Sequence, residues 1–198
     1  MYVSENLGVN ERGHLTFGGL DTLALAKEYG TPLYLMDEDL IRKNCRALLD
    51  AFGKHYDGNA NVSYASKALS CVAICKIMAE EGMHLDVVSG GELFTALRAG
   101  FPAERIHFHG NNKTEEELRF GLDSKIDCFV VDNLYELERL EAIAAEQDQQ
   151  VRIYFRIKPG VDAHTHSFIR TGQIDSKFGL ALENGEAEEA VARALQCR

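Results

Sequence analysis

In the run Ser63-Tyr64-Ala65-Ser66-Lys67-Ala68, a lysine closes a short β-rich stretch. A lysine amine just past a buried strand is a nucleophile toward aldehydes, because burial disfavours the ammonium and frees the amine. The small neighbours Ala65, Ser66 and Ala68 leave room for a ligand, although on local spacing alone a solvated loop lysine is the more ordinary reading. A second stretch is Asp86-Val87-Val88-Ser89-Gly90-Gly91-Glu92-Leu93. Its Ser89 and Glu92 have the S-x-x-E spacing of a capping box, which accounts for both as helix-start chemistry. Asp86 is not explained that way. It alternates with Val87 along a strand, so its carboxylate points either into an interior or to solvent.

His107-Phe108-His109-Gly110-Asn111-Asn112-Lys113 places two histidines at i,i+2 on one strand face. A second such pair, His164-Thr165-His166, lies beside Asp162, and the two pairs with that carboxylate could assemble a metal site on a barrel rim. The second pair sits in a loop of unconstrained geometry, so no metal site is expected. Cys71 and Cys75, spaced i,i+4, lack a matching second pair and read as small core residues. Arg156 interrupts the apolar strand Tyr154-Phe155-Arg156-Ile157, and a cation there needs a partner or a ligand. The connection after that strand exceeds about 20 residues, a length at which loops in compact domains tend to be functional.

These residues are positioned by a strand-then-helix rhythm. Short β-rich runs fall at Pro32–Asp37, Ala60–Ser66, His84–Ser89, Arg105–Gly110, Cys128–Asp132 and Val151–Pro159, each followed by helical periodicity. After the first unit they restart about every 23 residues, the spacing of a tight βα repeat. Leu134, Leu137, Leu140 and Ile143 mark one helix, and a last helix is expected over roughly residues 185–197. An open doubly wound sheet would carry a phosphate loop after its first strand, but neither GxGxxG nor GxxxxGK occurs. Polar residues instead collect at strand C-termini, where a (β/α)8 TIM barrel builds its active site. The fold class is therefore α/β, a barrel of which about six units are present where eight and about 250 residues are usual. The chain is expected to be the N-terminal portion of a larger protein, with residues 32–198 as partial barrel. Residues 1–31, glycine-rich and with a short helix capped by Asp21, form a lead-in outside the repeat.

The chain of 198 residues is 45% hydrophobic and 26% charged, with net charge −10. That balance argues against a nucleic-acid partner. No apolar run approaches the roughly 18 residues needed to span a membrane. With no signal-peptide pattern at Met1 and five cysteines without a CxxC pair, a cytoplasmic location and reduced thiols are expected.

Taken together, YASKA, DVVSGGEL, HFHGNNK, RIKPGVDAHTH and TGQIDSKFG resemble, in order and spacing, the diaminopimelate decarboxylase family. That family belongs to the pyridoxal-phosphate enzymes with an alanine-racemase-like barrel. The resemblance runs from about Phe17 onward. It implies pyridoxal 5'-phosphate as cofactor and a carboxy-lyase that converts meso-diaminopimelate to L-lysine and carbon dioxide, the last step of lysine biosynthesis. Lys67 matches the lysine that bonds the cofactor; Ala65, Asp86, His109, Asn111 and Arg156 match positions lining its pocket. The resemblance further implies a homodimer and a C-terminal β-domain, absent from this chain, that pairs with the lead-in. The ring-stacking histidine, phosphate loop, pyridine-facing carboxylate and substrate-binding residues would come from beyond residue 198. Little or no activity is then expected of these residues alone. A decarboxylase for another basic amino acid (ornithine or arginine type), a non-catalytic pyridoxal-phosphate-binding barrel and a metal-dependent hydrolase are the competing readings.

Overall fold

The computed structural model describes residues 4–56, 60–160 and 178–197, and the chain divides into two compact units, Met1–Ala60 and Asn61–Arg198. His164, His166, Asp162 and most of the TGQIDSKFG motif lie outside the described residues.

In the first unit, β1 (Leu7–Val9), β2 (Leu15–Phe17) and β3 (Leu20–Asp21) form an antiparallel meander, followed by α1 (Thr22–Tyr29) and α2 (Glu38–His55). The β1–β2 turn is organised by Asn10, whose Oδ1 accepts from the backbone N–H groups of Arg12 and His14, both at 3.0 Å. Asp21 caps α1 as expected, accepting from Leu23 N at 2.9 Å and Ala24 N at 3.3 Å. Its second oxygen meets His14 Nδ1 at 2.8 Å, and that contact is foremost in holding the carboxyl down at about 2. The expected strand Pro32–Asp37 is not one. It joins no ladder among the described residues; Leu33, Tyr34 and Met36 are exposed, and Asp37 caps α2 through Leu40 N at 3.1 Å. β-Rich composition suits an extended backbone, but a strand requires a neighbour to supply hydrogen bonds.

The second unit is a parallel wall. β4 (Ser63–Ala65), β5 (His84–Val87), β6 (Ile106–Phe108), β7 (Cys128–Val131) and β8 (Ile153–Phe155) pair in sequence order. Between them run α3 (Val72–Glu80), α4 (Gly90–Arg98), α5 (Glu115–Asp123) and α6 (Leu134–Glu146). An order without reversal is that of a barrel wall, since doubly wound sheets turn back at a switch point. Right-handed crossovers place the helices on one face. Leu85, Val87, Ile106 and Phe108 are fully buried on that face. Phe108 also stacks on Phe129 at 5.9 Å. His84, Asp86 and His107 alternate with them and face the barrel interior.

The sixth expected run is interrupted. β8 ends at Phe155, and β9 (Ile157–Lys158) pairs instead with β10 (Leu180–Ala181). Arg156 joins the two ladders through its main chain, its N–H donating to Val131 O at 2.9 Å and its carbonyl accepting from Leu180 N at 2.8 Å. The last helix, α7 (Glu186–Ala194), starts at Gly185, whose φ of 84° is left-handed. Ala187 and Ala190 of α7 pack on Leu180, Leu134 and Phe155.

Candidate functional site

Because parallel strands all end on one rim, residues distant in sequence meet there. A cavity of about 710 Å³ opens at the strand C-termini. It is lined by all six expected positions, Ala65, Lys67, Asp86, His109, Asn111 and Arg156, together with Ser89, Gly110, Glu117 and Phe178. Strand register places Ala65 beside Asp86 and Asp86 beside His107.

Lys67 lies in a single 3-10 turn, Ser66–Ala68, directly after β4. Local spacing alone favours a solvated lysine over a buried one, and Lys67 is exposed at the cavity mouth, because the strand stops at Ala65 and the turn carries the next side chain onto the rim. Its neighbour Ser66 is buried, and its hydroxyl donates to the Glu92 carboxylate. Glu92 Oε2 also accepts from Val88 N at 2.9 Å. The expected capping box at Ser89 is therefore only half formed. Ser89 Oγ accepts from Glu92 N at 3.3 Å, but the Glu92 carboxylate ties the β4 turn to the end of β5. The reciprocal box is Thr114 with Glu117 at the start of α5, and Glu117 Oε1 also accepts from Gly90 N at 2.7 Å. The T-x-x-E spacing made this second box readable from sequence.

Asp86 Oδ1 lies 3.4 Å from His107 Nδ1 and 3.7 Å from His109 Nε2. The i,i+2 histidines do share a face. The Asp86 contact raises the His107 pKa above its ordinary value, whereas burial pushes His109 down and favours its neutral form. Arg156 is half-buried; its guanidinium is 3.4 Å from Asp132 Oδ1 and 4.3 Å above the Phe178 ring. Asp132, almost fully buried, also accepts from Gly179 N at 2.9 Å. The cation in the apolar strand therefore has its partner, as expected. At Gly110, with φ of 112°, an added Cβ would come within 3.1 Å of Val88 O, so the backbone of the His-Gly-Asn turn lies close against the end of β5.

One rim element escaped sequence reasoning. Lys113 Nζ donates to Gly110 O at 2.6 Å and Val130 O at 3.0 Å and pairs with Glu136 at 2.8 Å. Both side chains are buried, at 1% and 4% exposure. The available signal was Glu136 at i,i+4,i+7 with Leu140 and Ile143, a carboxylate on an apolar stripe. The ligand atoms of His107, Asp127 and Cys128 also lie within 4.8 Å of one another. Burial pushes the Cys128 thiol up to about 12, and the contact between His107 Nε2 and Asp127 at 3.1 Å accounts for the grouping.

A partial parallel barrel with a lysine and convergent ionic groups on its C-terminal rim defines a barrel enzyme's small-molecule site. Residues 38–198 match the model of the pyridoxal-dependent decarboxylase, pyridoxal binding domain, and the chain belongs to that family. It is 52% identical to diaminopimelate decarboxylase from Bacillus methanolicus over 98% of this chain and 45% of that protein. With the Bacillus subtilis diaminopimelate decarboxylase it shares 54% identity over 94% and 42%, respectively. The solved M. jannaschii diaminopimelate decarboxylase, in complex with L-lysine, superposes with a TM-score of 0.87 at 36% identity, covering 98% of this chain and 45% of that one. The chain thus spans less than half the length of these relatives.

Proposed function

We propose that these residues form the cofactor-anchoring part of a pyridoxal-phosphate-dependent decarboxylase acting on meso-diaminopimelate. Its products would be L-lysine and carbon dioxide. The observation that carries this reading is Lys67 at the mouth of a cavity that also gathers Asp86, His109 and Arg156, in a chain of this family.

The donor set fits the cofactor. A primary amine is available for the aldehyde, a guanidinium for an anionic group, and the cavity is of the size that small-molecule sites occupy, about 300–1,000 Å³. Lys67 would hold the cofactor covalently, and Ala65, Asp86, Asn111 and Arg156 would bind and orient it. Bound pyridoxal phosphate supplies an electron sink for the pair released as the carboxylate departs. His109, kept neutral by burial, can take or give a proton at the rim. The Asp86 carboxylate lies between the two histidines, and Glu92 holds the Lys67 turn through Ser66. The choice of diaminopimelate over other basic amino acids rests on the 52% and 54% identity to the two Bacillus diaminopimelate decarboxylases. A homodimer, with a β-domain meeting the lead-in, completes the reading.

The test uses the protein at its natural length. Pyridoxal phosphate should produce a near-ultraviolet band, and borohydride should fix a label that peptide mapping places on Lys67. Carbon dioxide should be released from meso-diaminopimelate in preference to lysine, ornithine or arginine. A label elsewhere, or none, overturns the site; release only from another amino acid overturns the substrate.

A further inference from the structure

We propose that His107, which does not line the cavity, is a positioning residue that holds the Asp86 carboxylate in place at the cofactor site. The use of that site rests on the proposed function; the ion pair beneath it does not.

The strand register sets His107 directly beside Asp86 on the interior face. Its two ring nitrogens face two carboxylates, Nδ1 at 3.4 Å from Asp86 and Nε2 at 3.1 Å from Asp127. A neutral imidazole has one N–H; only the imidazolium donates at both ends. The ring is 15% exposed, so the contacts are poorly screened by solvent.

The surrounding groups supply no substitute. From β5, His84 lies 5.4 Å from the ring of His107, and burial favours its neutral form. From β8, Tyr154 approaches edge-on at 6.3 Å. Cys128, opening β7, is held as the thiol, and Arg152 engages the far oxygen of Asp127 at 2.6 Å. Just past the end of its own strand, His109 lies 3.7 Å from the same Asp86 oxygen that His107 faces. The two imidazoles therefore compete for one acceptor. With His107 charged, Asp86 is satisfied from below and His109 stays free to face the cavity. Without it, Asp86 swings toward His109 and draws that ring out of use.

The sign of the pH dependence follows. The paired state is complete below the ordinary histidine range and is lost as pH rises through the raised value for His107. Histidine ring NMR of the cofactor-free, natural-length protein should show the His107 midpoint falling by about one pH unit in Asp86→Asn. An unmoved midpoint overturns the pairing. Pyridoxal phosphate affinity, followed by absorbance, should weaken about tenfold in His107→Gln below that midpoint, and the wild-type fall in affinity across it should disappear. Wild-type and variant profiles that coincide overturn the positioning role. Asp127→Asn, which removes only the distal carboxylate, should lower the His107 midpoint and weaken binding less, and it serves if His107→Gln does not fold. If wild-type protein takes no label at Lys67, the function reading fails, and the NMR titration alone decides the pair.

Discussion

Lys113 and Glu136 show how much a single buried ion pair does for this rim. Lys113 joins the His-Gly-Asn turn, the end of β7 and α6 through three contacts, and Glu136 additionally accepts from Asp132 N at 3.1 Å. Lys113→Met would leave a carboxylate buried without its counter-charge, at a cost of about 3–5 kcal/mol. Burial already raises the Glu136 pKa. A group whose folded pKa is raised contributes stability below its unfolded value and loses it as pH rises through the folded one. The destabilisation in Lys113→Met should therefore shrink on acidification and be greatest at neutral pH and above, which urea melts across pH would show. A pH-independent loss would mean that the pair is not the source.

At the scale of the element, the helix layer is fitted to the sheet with little slack. Gly121 in α5 faces Phe129 of β7, and a Cβ built there would lie 2.5 Å from Phe129 Cζ and 3.2 Å from Ile126 Cδ1. Phe129 is 1% exposed and stacked on Phe108, so it has nowhere to move. Alanine is the better helix former by about 1 kcal/mol, yet Gly121→Ala should lower stability by about 1–3 kcal/mol because overpacking outweighs propensity. A thermal melt no lower than wild type would show that the helix can shift outward. The elements also show where pattern reading succeeds. Helix α6 follows the spacing of Leu134, Leu137, Leu140 and Ile143, and α1 begins at Asp21. The run Pro32–Asp37 has strand composition without a ladder, and the two-residue β10 carried too short a signal to be expected.

At the scale of the whole molecule, the cavity belongs to no single element; β4, β5, the turn after β6 and the Arg156 junction each contribute. A ligand that binds only this assembled state stabilises it by mass action. Pyridoxal phosphate at about 100 times its dissociation constant should add about 2.7 kcal/mol to the unfolding free energy. Lys67→Ala should lose most of that gain while leaving the ligand-free melt near wild type, since Lys67 is exposed. An equal gain in both proteins would place the binding elsewhere.

What the sequence by itself determined is the repeat, most of its helices and strands, and the set of polar residues at strand ends. Those follow from periodicity and capping, which act within a few residues along the chain. The motif set around Lys67 was equally legible as a family resemblance. Tertiary structure alone decided which groups touch. It turned Glu92 from a helix cap into a tie on Ser66, buried Lys113 against Glu136, left Lys67 exposed, and set His107 between two carboxylates. The reason is register. Parallel strands bring residues about 20 positions apart to within hydrogen-bonding distance, and their separation in sequence carries no local pattern from which the pairing can be read.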